Sequence, residues 1–324
     1  MFFPCIIPFL RVWRTGGAAV ATILAFGCGG GTPTAPVAPA AFGLTCPSNV
    51  NASSLGGIPV EVNFGEPVTH GGTAPVSITC SPAAGAVFPA GASAVSCTAV
   101  DATGRSTTCG FTVNVQAIPR LSRTTFMTFG DSLTEGKLGL SVLLLVDSPE
   151  HSYPAKLLRM LRERYTGQEV TVLNEGLSGE RADESPLRFR AAMSRHRPEV
   201  VLLMHGVNDL NGTHDERVQL AVDAMQDLVR EARYNGAEPF VATLPPLGPG
   251  PKAGCPECVE PYNTRLRGMV SAEGVTLVDV YEAWRGKAGL MGADGIHPTE
   301  AGYDVIANTF FEAIRRGLET SSPQ

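Results

Sequence analysis

The sequence predicts two folded parts, a small β-sandwich in the first half of the chain and an α/β domain with a parallel sheet in the second. Five short apolar runs with helical patterns between them indicate the α/β domain. Continuous apolar runs are typical of strands covered on both faces, and strands that alternate with helices form parallel sheets. Runs of alternating apolar and polar residues, separated by Gly- and Pro-rich turns, indicate the β-sandwich.

The elements of the α/β domain follow one another along the chain. The predicted strands are residues 125–129, 170–173, 200–204, 240–244 and 275–280. Apolar residues at helical spacing predict helices at residues 154–165, 218–234 and 300–318. The first of these helices places Leu157, Leu158 and Leu161 on one face, with charged residues elsewhere. This alternation predicts a layered α/β fold.

Four short motifs carry the chemistry of this domain. They are Gly-Asp-Ser-Leu at 130–133, Asn-Glu-Gly at 174–176, Gly-Val-Asn-Asp at 206–209 and Asp-Gly-Ile-His at 294–297. The first three come directly after the first three predicted strands. Because ligands bind outside the carboxyl ends of parallel strands, we expect Ser132, Gly176 and Asn208 to lie at one edge of the sheet.

These residue types can cleave an ester. A serine hydroxyl needs a base within hydrogen-bond reach, and we expect His297 to take the proton from Ser132 while Asp294 orients the imidazole. The backbone N–H groups of Ser132 and Gly176, with the side-chain amide of Asn208, are the candidate oxyanion donors.

Two residues, one within the first motif and one directly before the third, are interpreted as structural. Asp131 is expected to bond nearby backbone groups. His205 is expected to pack against its neighbours rather than line the cleft.

The motifs resemble the four blocks of the SGNH (GDSL) hydrolase family. Residues 130–136 resemble its nucleophile block, Gly176 its glycine block, residues 206–209 its Gly-x-Asn-Asp block and residues 294–298 its histidine block. The resemblance covers about residues 121–318. It implies a flavodoxin-like three-layer α/β/α domain with strand order 2-1-3-4-5. It also implies hydrolysis of carboxylic esters or thioesters through an acyl-enzyme on Ser132, without metal. The sequence has no nicotinamide, flavin or nucleotide fingerprint, so we expect no cofactor.

Residues 138–146 form a strongly apolar segment shortly after the nucleophile motif. The segment is far too short to span a bilayer. It is interpreted either as a wall or lid for an acyl chain or as a loop packed into the core.

The N-terminus is typical of an export signal. Arg11 and Arg14 precede an apolar run that ends near Cys28, so residues 1–27 are interpreted as a lipoprotein-type signal peptide with Cys28 as the lipidated residue. Cleavage and secretion without lipid is the alternative. Residues 28–43 form a Gly/Pro/Ala-rich linker. We therefore expect an exported protein, either tethered to a membrane as a periplasmic or cell-surface lipoprotein, or secreted.

Residues 44–117 carry the predicted β-sandwich, with strand patterns at 60–64, 76–80, 95–100 and 111–115. The module resembles the hyalin-repeat (HYR) family of Ig-like extracellular domains. The similarity rests on Cys46-Pro47, Phe88-Pro89-x-Gly91, the segment 95–101 and the segment 109–113. The module is interpreted either as a spacer between the enzyme and the membrane or as a binding module, for which a surface polysaccharide or a protein is the candidate partner.

The cysteines fit an oxidising compartment. Cys46, Cys80, Cys97 and Cys109 are an even set in a small domain, so two disulfides are expected, with three possible pairings. Cys255 and Cys258 form a Cys-x-x-Cys pair in a Pro/Gly-rich loop. We interpret them as a loop staple rather than a redox pair or half of a zinc site, and expect no metal.

Composition limits the remaining possibilities. The chain has 324 residues with 36 Gly and 25 Pro, which indicates about two domains, and its net charge of −6 gives no reason to expect nucleic acid. We interpret the protein as an exported serine esterase that acts on a small ester or an acylated substrate. The alternative is an adhesion protein whose hydrolase domain is only a scaffold. The motifs do not separate a carbohydrate deacetylase from a lysophospholipase or thioesterase.

Overall fold

The N-terminal part is built from β-strands alone in the computed structural model, which describes residues 41–139, 146–210 and 215–320. Its strands are β1 (Gly43–Thr45), β2 (Val50–Leu55), β3 (Val60–Val62), β4 (Val68–His70), β5 (Ser77–Ser81), β6 (Ala86–Phe88), β7 (Gly91–Val100) and β8 (Ser106–Ile118). A four-stranded sheet has the order β2-β8-β7-β5, and β1–β4 and β3–β6 form two smaller sheets. Strand β2, which pairs in parallel with β8, was not predicted, because its small polar residues give only a weak apolar pattern.

A separate apolar core fills this module. Phe88 from β6 and Val62 from β3 pack with residues of β7 and β8, so the four-stranded sheet and the β3–β6 sheet bury their apolar faces against each other. The disulfides are Cys46–Cys109 and Cys80–Cys97, one of the three pairings that the sequence allowed. The second joins residues that lie directly opposite each other on β5 and β7.

The second part contains the predicted parallel sheet. The remaining strands are β9 (Arg120–Leu121), β10 (Thr125–Gly130), β11 (Lys137–Leu138), β12 (Val146–Asp147), β13 (Thr171–Gly176), β14 (Val200–Met204), β15 (Glu238–Ala242), β16 (Thr276–Val278) and β17 (Glu319–Thr320). Five of them form a wholly parallel sheet in the order β13-β10-β14-β15-β16. Numbered along the chain, this is the order 2-1-3-4-5, which confirms the predicted fold.

Helices cover both faces of this sheet. They are α1 (Ser132–Glu135), α2 (Tyr153–Arg164), α3 (Pro186–His196), α4 (Asp215–Tyr234), α5 (Val259–Glu273), α6 (Val280–Trp284) and α7 (Glu300–Leu318). Helix α2 packs against α7, whereas α4 packs against α3 and α5. Right-handed crossovers explain this division, because the chain moves from β10 to β13 in one direction and then turns back across the sheet to β14, β15 and β16.

Several elements of the α/β domain also differ from the prediction. Helix α3 was missed because few of its residues are buried, and α5 because Pro261 and Gly268 interrupt its pattern. Pro261 is tolerated in the first turn, where the backbone N–H groups have no partner within the helix. The fifth predicted strand was too long: the Asp279 side chain accepts from the Glu282 N–H and begins α6, so β16 ends at Val278.

Two predictions fall on residues outside the described ranges. Cys28 with the signal and most of the linker lies before residue 41, and the apolar segment 138–146 is described only at its two ends. No helix of the described ranges is long and apolar enough to cross a membrane.

Candidate active site

Ser132 stands where the first strand of the sheet ends. Strand β10 ends at Gly130, and Asp131 caps α1 by accepting a hydrogen bond from the Leu133 N–H at Oδ1 (3.0 Å). Ser132 is the first residue of α1 and is only 4% exposed. Its N–H belongs to the first turn of the helix, where no backbone acceptor lies within the helix. The local fold therefore presents both the hydroxyl and the N–H of Ser132 at the carboxyl edge of the sheet.

His297 lies near the C-terminal end of the domain's sequence and contacts this serine. Its Nε2 lies 2.9 Å from Ser132 Oγ, and its Nδ1 lies 2.6 Å from Asp294 Oδ2. The other carboxylate oxygen of Asp294 accepts the backbone N–H groups of Ile296 (3.2 Å) and His297 (3.0 Å). These local bonds make a tight turn of the kind that aspartate forms with the backbone that follows it. Thr299 then caps α7.

The electrostatics of Asp294 suit an ionised carboxylate. Its burial alone would raise the pKa. The hydrogen bonds from the His297 side chain and from the two backbone N–H groups outweigh the burial and hold the pKa of Asp294 below its ordinary value. Asp294 therefore faces His297 as an anion, which favours a proton on Nδ1 and leaves Nε2 free to accept one from Ser132.

The turn that carries Asp294 is held from two sides. The Ala293 N–H donates to the Gly139 carbonyl (3.0 Å), and the Lys252 N–H donates to the Asp294 carbonyl (3.0 Å). Lys252 lies in the loop before α5, which the Cys255–Cys258 disulfide closes. The loop-staple interpretation of these two cysteines fits this position.

Gly176 lies beside the nucleophile, but its N–H is engaged. A Cβ on Gly176 would lie 2.1 Å from the backbone N of Glu135, so only glycine allows β13 to approach α1 this closely. The Gly176 N–H donates to Asn174 Oδ1 (3.0 Å). The N–H that was predicted as an oxyanion donor is therefore already hydrogen-bonded within the protein.

Asn208 lies in a single 3₁₀ turn, Val207–Leu210, that follows β14. Its Nδ2 donates to the Glu180 carbonyl (2.9 Å), which fixes the plane of the amide and leaves its second N–H for another acceptor. The next residue, Asp209, accepts the Ala182 N–H at 2.8 Å, and burial raises its pKa. The loop after β13 is thus bonded to both residues of the Asn-Asp pair.

Sequence reasoning missed a buried ion cluster behind the nucleophile, formed by Asp131, Glu180, Arg188 and His205. His205 was expected to pack in the interior, and it is fully buried, but it also lies between two carboxylates. Burial alone would lower the pKa of His205, but Asp131 and Glu180 outweigh it and raise the pKa to about 9. The available signal was a histidine directly after an apolar strand, together with an aspartate in the nucleophile motif.

A parallel sheet with a Ser–His–Asp chain of hydrogen bonds at its carboxyl edge is the arrangement that serine hydrolases use. Residues 128–305 match the model of the GDSL-like lipase/acylhydrolase family, and residues 39–115 match the HYR domain. The first match covers more than half of the chain. The chain therefore belongs to the GDSL-like lipase/acylhydrolase family, a family of ester-hydrolysing enzymes.

Similar proteins agree with this membership. The chain is 30% identical to esterase TesA of Pseudomonas aeruginosa over 182 residues, which are 55% of this chain and 81% of that protein. It is 23% identical to the uncharacterized lipoprotein YqeF of Bacillus subtilis over 223 residues, with 58% and 87% covered. A multidomain esterase of Ruminococcus flavefaciens is 24% identical over 162 residues, but the match spans 48% of this chain and only 21% of that protein.

The fold is shared with a solved structure. The lipase/acylhydrolase of Enterococcus faecalis superposes with a TM-score of 0.52 at 21% identity, covering 62% of this chain and all of that one. This similarity supports the fold of the second part of the chain.

Proposed function

We propose that residues 121–318 form a serine esterase domain in which Ser132 is the nucleophile, His297 the general base and Asp294 the residue that orients the histidine. The observation that carries this proposal is the continuous chain of hydrogen bonds from Ser132 Oγ through His297 to Asp294, at 2.9 and 2.6 Å. Residues 165 positions apart in the sequence meet at hydrogen-bond distance in a buried site. A hydrolase domain that served only as a scaffold would have no need of this geometry.

The reaction proceeds in two halves. Ser132 Oγ attacks the carbonyl carbon of the ester while its proton moves to His297 Nε2. The tetrahedral intermediate collapses, the bond to the leaving oxygen breaks, and His297 gives its proton to the departing alcohol. Water then attacks the acyl-serine with His297 as the base, the bond to Ser132 Oγ breaks, and His297 returns the proton to Oγ as the acid is released. Asp294 keeps the imidazole in one tautomer and stabilises it when it becomes charged.

The developing oxyanion needs preorganised donors. Two of the predicted ones fit this role: the Ser132 N–H at the start of α1 and the second N–H of the Asn208 amide. We infer that the third donor is the Gly179 N–H rather than that of Gly176. Gly179 precedes Glu180, whose carbonyl contacts Asn208, and within the described residues no hydrogen bond uses the Gly179 N–H.

A tetrahedral phosphonate bound to Ser132 decides between the two glycines. In a crystal structure of that adduct, the phosphonate oxygen is expected within about 3.1 Å of the Gly179 nitrogen. A phosphonate oxygen at this distance from the Gly176 nitrogen, with the bond from Gly176 to Asn174 broken, would instead support Gly176 as the oxyanion donor.

The esterase function is tested with p-nitrophenyl esters of increasing acyl length. The Ser132→Ala variant should lose activity by at least about 10³-fold while its melting temperature stays near that of the wild type, because only the nucleophile is removed. Ser271→Ala, an exposed serine on α5, is the matched control and should keep full activity. Wild-type turnover by Ser132→Ala would contradict the mechanism. The chain-length profile would show whether the site prefers acetyl groups or longer acyl chains.

We also propose that residues 1–27 are an export signal and that lipid on Cys28 tethers the enzyme through the linker 28–43. Disulfides in both described parts of the chain support an oxidising compartment. The similarity to a protein named as a lipoprotein supports the anchor. The module at 44–117 then spaces the enzyme from the membrane or binds a surface polymer.

The anchor is tested by labelling cells with an alkyne fatty acid. The wild-type protein should be labelled and should fractionate with membranes, whereas Cys28→Ser should be neither labelled nor retained. Cys5→Ser is the matched control. Equal membrane retention of the Cys28→Ser protein would contradict lipid anchoring.

A further inference from the structure

The buried ion cluster connects parts of the site that are distant in the sequence. His205 Nδ1 lies 3.3 Å from Asp131 Oδ2, and its Nε2 lies 3.3 Å from Glu180 Oε2. Asp131 is the residue before the nucleophile, and Glu180 lies in the loop after β13. The imidazole therefore bridges the turn that carries Ser132 and the loop that faces Asn208.

Both ends of this bridge act on groups of the proposed site. At one end, Asp131 Oδ1 holds the Leu133 N–H, which sets the first turn of α1 and the direction of the Ser132 N–H. At the other end, the Glu180 carbonyl accepts from Asn208 Nδ2 at 2.9 Å. A shift of the Glu180 backbone would therefore turn the Asn208 amide, and a shift of Asp131 would turn the start of α1.

Arg188 locks the Glu180 side of the cluster. Its guanidinium makes two hydrogen bonds to the Glu180 carboxylate and donates to the Gly130 carbonyl (3.2 Å). It also lies over the Phe129 ring, 3.9 Å from the ring centroid. The Glu180 carboxylate thus has two basic partners, Arg188 at both of its oxygens and His205 at Oε2, and is fixed relative to the end of β10.

We propose that His205 and Glu180 are positioning residues, which hold the nucleophile turn and the Asn208 amide in one fixed relation for the proposed ester hydrolysis. This inference rests on the proposed function, because it supposes that Ser132 and Asn208 act in the reaction. Neither His205 nor Glu180 is required to touch the substrate.

The bridge depends on a proton. With both ring nitrogens protonated, His205 donates to Asp131 and to Glu180 together. The Gly206 N–H is directed at Nδ1, with the two nitrogens 3.0 Å apart, so a ring without a proton on Nδ1 accepts this bond instead. When Nδ1 loses its proton it accepts from Gly206 and no longer donates to Asp131, and the bridge to the nucleophile turn is broken.

The two carboxylates that face the ring favour its protonated form. Asp131 and Glu180 face its two nitrogens, Asp209 and Arg188 lie in the next layer, and the Tyr262 hydroxyl donates to the His205 carbonyl. The pKa of about 9 keeps the bridge intact at neutral pH and breaks it as the pH rises through that value. Turnover should therefore fall on the alkaline side.

The test compares kcat, KM and the pH profile of kcat for wild type, His205→Gln, His205→Asn and Glu180→Gln, after subtraction of spontaneous hydrolysis. Both His205 variants should lower kcat by about 10- to 100-fold with KM changed less than about threefold, because misplaced oxyanion donors weaken the transition state most. Their pH profiles of kcat should lack the alkaline limb, which is the fall in kcat near pH 9. Glu180→Gln removes one of the two facing anions, so its limb should move to lower pH.

His196→Gln is the matched control. His196 also bonds a carboxylate, that of Glu175 at 2.6 Å, but it lies at the end of α3 and should leave the profile unchanged. If the His205 variants do not fold, the shift in the Glu180→Gln profile decides the question. A folded His205→Gln or Glu180→Gln enzyme with wild-type kcat and a wild-type alkaline limb would overturn the inference. Absence of serine-dependent activity in the wild type would instead refute the proposed function.

Discussion

The Asn208 amide has two N–H groups, one of which bonds the protein and one of which is the proposed oxyanion donor. One N–H of its amide is held by the Glu180 carbonyl, which leaves the other in a fixed direction. An amide held in this way requires little reorganisation when charge develops on the substrate, and such donors contribute most where water is excluded. The value of Asn208 therefore depends on its partner as much as on its own position.

We expect Asn208→Ala to lower kcat by roughly 10²- to 10³-fold with a smaller effect on KM, because an oxyanion donor acts mainly in the transition state. The loss of one partly buried hydrogen bond should cost about 1 kcal/mol of stability, so the variant should stay folded. Steady-state kinetics and a thermal melt measure both effects. Asn235→Ala, which removes an exposed helix-end amide, is the control. A kcat for Asn208→Ala within threefold of wild type would exclude the amide from the oxyanion site.

Some contacts of the candidate site could be predicted from the sequence and others could not. The contact of His297 with Ser132 and Asp294 could be predicted because their motifs stand in a recognisable order along the chain, and the structure places the three side chains in one chain of hydrogen bonds. The hydrogen bond of the Gly176 N–H could not be predicted, because this bond depends on the orientation of the Asn174 side chain. The bridge from His205 to Asp131 joins residues 74 positions apart, and no local pattern reports such a contact.

Among the larger elements, the loop that carries Asp294 and His297 is shaped by its packing. Gly139 lies against it so closely that a Cβ on Gly139 would be 2.7 Å from Asp294 Oδ1 and 2.8 Å from the His297 carbonyl oxygen. Both distances are shorter than nonbonded atoms tolerate, so a side chain at position 139 is expected to displace this loop.

Gly139→Ala should therefore lower kcat by at least about tenfold through displacement of the histidine loop. Gly268→Ala is the matched control, since a Cβ at Gly268 meets no atom within 4 Å. That control should keep full activity and gain roughly 0.5–1 kcal/mol of stability, because alanine favours a helix more than glycine does. Kinetics and thermal melts of the two variants provide the comparison. Full activity of Gly139→Ala would show that the loop can yield without moving His297.

The helices and strands were predicted to different degrees for physical reasons. The five core strands are continuous apolar runs, so their existence and order followed from the pattern and the resemblance. Helix α5 was not predicted because Pro261 and Gly268 interrupt its helical pattern. Its packing against α4 and the sheet stabilises the helix despite these two residues. Strand β2 was not predicted because its small polar residues give no clear apolar pattern. It forms a strand through its pairing with β8 at the edge of the sheet.

For the whole molecule, the two parts of the chain are stabilised by different means. The α/β domain has a large continuous apolar core on both sides of its sheet. The N-terminal module has a small core and two disulfides, as expected of a domain too small to depend on apolar burial alone. This difference fits the proposal that the chain is an exported enzyme with a binding or spacer module.

The central claim is that Ser132 is the nucleophile of an ester hydrolase, and active-site labelling tests it most directly. The native protein is treated with a fluorophosphonate, residual esterase activity is followed, and the adduct is located by peptide mass spectrometry. We predict one phosphonyl group per chain, attached to Ser132, with activity lost in proportion to labelling and no labelling of Ser132→Ala. Complete labelling at another residue, or full turnover by a protein labelled at Ser132, would contradict the claim.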